Sequence, residues 1–362
     1  MALLGVAVAF VIYPLAEGPS DVINSDWPTF ATGARLIVEN PRHLYDLDQQ
    51  KRVESQVTGG ETLVTLGING ILPFLAPAWV AIFAVPFELL GTDLGGRLWI
   101  LFGLAALALG IYLAIRPRPP SALLPAFASV PTALLLLNAQ LDGIVALGIG
   151  AAIALRAHPY LAGLALGLTL MKPQLVLPLG AALLLAQRWR VLAGWASAGV
   201  LLWASAAVLN PRWVLDWLAP TGTTITPGSR EVDFPHLGTL LPPTWQLYAV
   251  AALTVLTVIG VVLLARRCRN GFEGQVAILV AGGVLAAPHA LPADLVLAGL
   301  GLAIWGKARW QDWLLLSTGA LIAARAPAPL PAIVGVLLVG YLLYRMSGFA
   351  TRPGVKAPTT VR

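Results

Sequence analysis

Apolar runs recur along nearly the whole chain, divided by short polar turns. They fall at about residues 2–16, 71–90, 97–115, 121–137, 141–155, 160–171, 174–187, 191–209, 245–265, 275–288, 291–305, 312–324 and 328–344. None alternates with the period of two that a membrane barrel strand needs, so the runs predict helices. A helix also satisfies its own backbone hydrogen bonds within lipid. The expected fold is all-α: a polytopic membrane protein of about 11–13 transmembrane helices. A single membrane domain is expected over residues 1–345, with a basic cytoplasmic tail over 346–362.

Two longer polar stretches interrupt this pattern. The first outer loop, 17–70, contains Asp21 to Gln56, the longest charged segment. Within it, Trp27–Val38 and Leu44–Val57 read as short amphipathic helices broken at Asn40-Pro41, of the kind that lies in the membrane interface. Ser25 or Asp26 could cap the first of them. The second long loop covers 210–243.

Only 11% of the residues are charged and 58% are hydrophobic, against about 25% charged in a soluble domain. The net charge of +6 sits in short loops beside helix ends, where it acts as a topology signal rather than a nucleic-acid surface. The basic clusters are Arg116/Arg118, Arg156, Arg188/Arg190, Arg266/Arg267/Arg269, Lys307/Arg309 and Arg345/Arg352. Two apolar segments separate each neighbouring pair, so all the clusters are expected on the cytoplasmic side. The intervening turns, which hold most of the polar residues of the array, then face outward. One conflict stands. An odd number of crossings must join the outer loop to Arg116, yet the pattern offers two segments, 71–90 and 97–115. Pro73, Pro77 and Pro86 make the first a candidate broken or re-entrant element.

The outward turns bring together Asp21, Asp26, Gln140, Asp142, Lys172, Gln174, Arg230, His236, His289 and Asp294. Acids, one lysine and histidines facing one compartment suit chemistry on an anionic substrate held at the membrane. The segments 160–171 and 174–187 are short, and read either as two half-helices with Lys172 at the bend or as one kinked helix with Lys172 reaching an interface. Gly163 and Gly167 fit helix packing better than a phosphate loop. No HExxH, Walker loop or cysteine ligand set is present in the sequence. Each polar candidate has a plainer reading: Asp26, Asp142 and Asp294 as helix caps, His289 as a packing residue, Arg230 as solvated charge. The many tryptophans fit interfacial belts.

Several of these residues follow a recognisable order. Asp26-Trp27-Pro28-Thr29-Phe30-Ala31 comes just after the first apolar run, followed by Asn40-Pro41 and Leu44-Tyr45-Asp46. Ala139-Gln140-Leu141, Leu161-Ala162-Gly163 through Gly167, Lys172-Pro173-Gln174, Arg188-Trp189-Arg190, and Pro288-His289 with Asp294 come later. In this order the chain resembles the GT-C superfamily of membrane glycosyltransferases, and within it glycosyltransferase family 87. It differs in Pro73-Phe74, where the family has a Tyr-Pro-Pro opening, and in Ala139, where the family has glycine. The resemblance implies an inverting enzyme that moves a sugar, mannose favoured, from a polyprenyl-phosphate donor to a lipid or glycan hydroxyl. It would act on the outer face of a bacterial cytoplasmic membrane, in cell-envelope synthesis.

On that reading Asp26 is the general base, with Asp21 as the alternative. Lys172, His289 and, more weakly, Arg230 are candidates for the donor phosphate. Asp21, Gln140, Asp142, Gln174, His236 and Asp294 are candidates to hold sugar or acceptor hydroxyls or to orient His289. No cofactor is required; Asp21 and Asp26 could share a divalent cation, but a monophosphate donor does not demand one. A transporter or lipid flippase is the competing reading, since broken helices with charges at depth also suit transport.

Overall fold

The computed structural model describes residues 1–60, 72–221, 237 and 241–348. The described residues form helices and 3-10 turns, and contain no strand. In chain order the helices are α1 (Ala2–Ala16), α2 (Pro19–Ile23), α3 (Trp27–Glu39), α4 (Leu47–Val57), α5 (Ala78–Glu88) and α6 (Thr92–Ile115). These are followed by α7 (Leu124–Phe127), α8 (Val130–Leu137), α9 (Asp142–Ala154), α10 (Pro159–Leu166), α11 (Leu177–Leu185) and α12 (Trp189–Leu209). The last six are α13 (Trp213–Thr221), α14 (Pro243–Arg266), α15 (Gly271–Ala286), α16 (Val296–Trp305), α17 (Trp310–Arg325) and α18 (Leu330–Ser347).

The all-α, membrane character is as expected. Four helices, α6, α12, α14 and α18, are long and apolar enough to cross a membrane unaided. The bent pair over Pro120–Phe127 and Val130–Leu137 makes a fifth. Seven shorter apolar helices accompany them. The expected 11–13 crossings are therefore reached only if broken and short elements are counted. Prolines and glycines interrupt many of the apolar runs before they reach the roughly 20 residues that a straight crossing needs.

Among the described residues, members of five of the basic clusters lie at joined helix ends: Arg118, Arg156, Arg269, Lys307 and Arg345. Arg118 Nη1 and Nη2 donate to the carbonyls of Ala303 and Ile304 (2.7 and 3.0 Å). Lys307 donates to Asn270 (2.9 Å), whose amide donates to Met346 O (2.8 Å). Arg345 pairs with Asp312 (3.0 Å), and Arg156 lies over the ring of Phe272. These contacts join helix ends far apart in sequence, so the charge periodicity reflects real proximity.

The stretch after the first outer loop also becomes clear. At 11 residues, α5 is only about 16 Å long, too short to cross a bilayer. It packs against α3 and α6, and Glu88 at its end forms an ion pair with Arg35 of α3. The extended strip before it is held by side chains from the same layer. Leu72 N donates to the Glu54 carboxylate (3.0 and 3.2 Å), while Gln50 accepts from Phe74 N (2.8 Å) and donates to Phe74 O (3.1 Å). Tyr45 donates to Ala76 O (2.9 Å). An extended backbone outside any sheet has polar groups to satisfy, and these side chains do so. Only α6 runs between the two ends of the bundle here. Its start is tied to the end of α1 through Arg97, which donates to Pro14 O and Glu17 O (2.7 and 2.8 Å).

One expectation is corrected. α3 is not an interfacial helix with one wet face, because its residues from Trp27 to Ala34, with Leu36 and Ile37, are buried. Gly33 makes room for the ring of Phe74, which a Cβ would meet at 2.7 Å. The layer made by α3, α4, the 72–77 strip and α5 is thus a packed cap over one end of the bundle.

Candidate active site

Three helix N-termini point into one place beneath this cap. Asp26 precedes α3, Asp142 opens α9, and Asp294 lies in the 3-10 turn Pro292–Leu295 that leads into α16. Between them stands Lys172, at the break where α10 unwinds through Gly167–Met171 and the chain restarts at Pro173–Val176 before α11. This is the half-helix arrangement with the lysine at the bend. Gly163 and Gly167 face α12, where added Cβ atoms would meet Val191 O at 2.0 Å and the Ala198 Cβ at 2.3 Å, so they serve packing.

The Lys172 ammonium donates to Asp294 Oδ1 (2.6 Å), Gln140 Oε1 (2.6 Å) and Asp142 Oδ2 (3.0 Å). Its three donors are thereby used. Gln140 in turn donates through Nε2 to Asp26 Oδ2. Asp294 Oδ2 accepts from Leu291 N (2.7 Å). Asp142 is fully enclosed, and its Oδ1 has no hydrogen-bond partner. With every group ionised, three carboxylates face one ammonium. The partial positive charge at the N-terminus of α9 favours the Asp142 carboxylate.

Asp26 differs from the other two acids in being partly exposed. Its carboxylate makes no capping bond to α3; Ser25 Oγ accepts from Trp27 N instead (3.2 Å). Burial pushes the Asp26 carboxyl up to about 7, against the opposing charge of Lys172 and His289 and with the reinforcing charge of Asp294. The capping alternative for Asp26 is therefore not what the structure contains. The group is held toward Gln140 and titrates near neutrality, as suits a general base.

The other sequence candidates divide. His289 is exposed and close enough for its charge to act on Asp26. Asp21 is exposed and accepts from Gly18 N (3.0 Å), so it serves its own turn rather than the cluster. Gln174 is half-buried and makes none of the cluster's hydrogen bonds. Arg230 and His236 lie outside the described residues.

Sequence reasoning missed the tryptophans that hold this site. Trp99 donates to Ala139 O (2.9 Å), Trp27 to Thr92 O (2.8 Å) and Trp79 to Leu170 O (3.1 Å). Trp27, Phe30, Phe83 and Phe87 surround Trp99 with ring centroids 5.1–5.8 Å away. Nothing in their spacing separates these packed indoles from Trp189, Trp203, Trp245 and Trp310, which are exposed as an interfacial belt requires. Trp213 and Trp305, expected in that belt, are buried.

Comparison with curated proteins gave no match, and neither did comparison with solved structures. The family profile of glycosyltransferase family 87 matches residues 74–292. That span includes Gln140, Asp142, Lys172 and His289; Asp26 and Asp294 join them in space from outside it. With more than half of the chain matched, and with a buried acid–lysine cluster assembled at one end of an all-helical membrane bundle, the protein belongs to glycosyltransferase family 87.

Proposed function

We propose that this glycosyltransferase moves a sugar, mannose favoured, from a polyprenyl-phosphate donor to an acceptor hydroxyl at the outer face of the cytoplasmic membrane. The observation that carries the reading is Asp26: a partly exposed carboxylate, not used as a cap, bonded to Gln140 and raised to about 7 by burial. The acceptor oxygen attacks the anomeric carbon as its proton passes to Asp26. The bond from that carbon to the phosphate oxygen breaks on the opposite side, and the polyprenyl phosphate leaves with the electron pair. The anomeric configuration inverts.

His289, exposed and close enough to act on Asp26, is the first candidate to meet the departing phosphate. Arg230 is a second candidate. Lys172 adds its field, but its donors are engaged, which favours a role in fixing the carboxylates. Asp142 and Asp294 hold Lys172. Asp21, Gln174 and His236 are the remaining candidates to contact sugar or acceptor. The outward placement is supported by the basic residues gathered around Arg118, Lys307 and Arg345, which the positive-inside rule assigns to the cytoplasm. Helices α12 and α14 are largely uncovered by the rest of the bundle, as suits contact with lipid tails.

The test is transfer from a radiolabelled polyprenyl-phosphate sugar by purified protein in liposomes. Wild type should transfer or hydrolyse the sugar, and Asp26→Asn should not, while eluting as a folded protein. Full activity in Asp26→Asn would remove the proposed base. Solute counterflow without sugar transfer would favour a transporter.

A further inference from the structure

We infer that Gln140 is a positioning residue for Asp26, with its amide locked in one orientation by Lys172; this rests on the reading of Asp26 as the base. An ammonium only donates hydrogen bonds and an ionised carboxylate only accepts them, whereas a primary amide has one end of each kind. Lys172 Nζ lies 2.6 Å from Gln140 Oε1, so the amide nitrogen must face Asp26. The flipped amide would set its NH2 against the ammonium and its carbonyl against the carboxylate. Lys172 cannot drift to allow this, because Asp294 and Asp142 hold it from the other side, and Leu291 N fixes Asp294.

The turn that carries Gln140 also holds the backbone of Asp26, whose N–H donates to Asn138 O (3.3 Å). Asp26 is therefore gripped twice by residues 138–140, once through its main chain and once through its carboxylate. Ala139 lies between the two grips with φ at +49°, in the left-handed region, and the Trp99 indole donates to its carbonyl. The Gln140 bond uses Asp26 Oδ2, which leaves Oδ1 to take the acceptor proton. A hydrogen bond to the charged form favours ionisation, so loss of the Gln140 bond should raise the Asp26 carboxyl further.

The experiment compares Gln140→Met and Gln140→Glu with wild type in the liposome assay across pH. Methionine matches the length but loses both bonds. Glutamate keeps an acceptor for Lys172 and sets a like charge beside Asp26. Each variant should move the acid limb of the kcat profile upward, by about one pH unit for Gln140→Met and further for Gln140→Glu. KM for the donor should stay within about twofold. An unmoved acid limb, or a raised KM with the profile unchanged, would overturn the inference and make Gln140 a substrate contact. Infrared difference titration of wild type against Asp26→Asn reads the Asp26 carboxyl without turnover. Repeated in the Gln140→Met background, it should show the same upward shift, and no shift there would overturn the inference. If Asp26→Asn remains active, the base assignment fails, and the infrared result alone then reports whether Gln140 governs Asp26. Should Gln140→Met fail to fold, Gln140→Asn keeps the amide but is too short to reach both partners, and the same two readouts apply.

Discussion

Lys172 and Asp294 stand 122 positions apart in the chain, and their charged atoms lie 2.6 Å apart in the fold. The pair is almost wholly removed from solvent, with 12% and 2% of the two side chains exposed. A buried ion pair of this kind is weak as a source of stability but severe when broken, because the survivor is a bare charge in a poor dielectric.

Lys172→Met should therefore destabilise the protein by about 3–5 kcal/mol, since it strands Asp142 and Asp294 together. The check is thermal unfolding in detergent. Pairing Lys172→Met with Asp142→Asn and Asp294→Asn should restore much of the loss without restoring transfer.

Asp26 should give the acid limb of the activity profile an apparent pKa of about 7. A base works only when deprotonated, so the rate should fall as pH drops through 7 and level off above it. Asp26→Asn should lower kcat by about 10²–10⁴-fold. A pH–rate series with donor at saturation tests both statements.

Glu54 offers a pH effect on stability that is separate from catalysis. Burial raises its carboxyl to about 7, against the lowering effect of the Leu72 N–H bond. A carboxyl whose folded value is raised holds its proton more tightly when folded. Its contribution is complete below the ordinary carboxylate range and is lost as pH rises through 7. Glu54→Gln keeps an acceptor for Leu72 and has no charge to bury, so above pH 7 it should melt a few degrees higher than wild type. Melting curves across pH should show the two proteins separating as pH rises from the ordinary carboxylate range to about 7, and staying apart above it.

Gly143 follows Asp142 and lies against α6, where a Cβ would sit 2.0 Å from Gly103 O. Gly143→Ala must push α9 away from α6 and carry Asp142 with it. A loss of about 1–3 kcal/mol is expected from overpacking, together with reduced transfer. Gly260→Ala, where nothing lies within 4 Å of the added carbon, is the control that should lower neither.

Ala139 sits at φ +49°, a conformation that costs a non-glycine residue about 1–2 kcal/mol. Ala139→Gly should raise the melting temperature slightly and leave the Asp26–Gln140 contact in place. A lower melting temperature would mean that the methyl group's packing outweighs the backbone penalty. This position also shows what a motif can hide. A left-handed turn favours glycine, and this chain makes the turn with an alanine whose carbonyl accepts from Trp99.

Much of the protein was legible before any fold was known. Apolar runs with helical character imposed an all-helical membrane protein, because only helices hide their own backbone polarity in lipid. The Lys/Arg spacing placed the basic helix ends together, and the Lys172 break showed as two short apolar runs meeting at a charge. Asp26 and Lys172 stood out because isolated charges in so apolar a chain require partners. Tertiary structure alone decided which partners those were. That Gln140 bonds both Asp26 and Lys172 emerges only when the fold sets it between them, and no local pattern encodes that. The same holds for α5: its prolines allowed a broken element, but only its packing on α3 and the Glu54, Gln50 and Tyr45 bonds to the strip before it place it in the cap. Short-range chemistry sets which residues need burial or a counter-charge; which long-range neighbours meet those needs is fixed by how the helices pack.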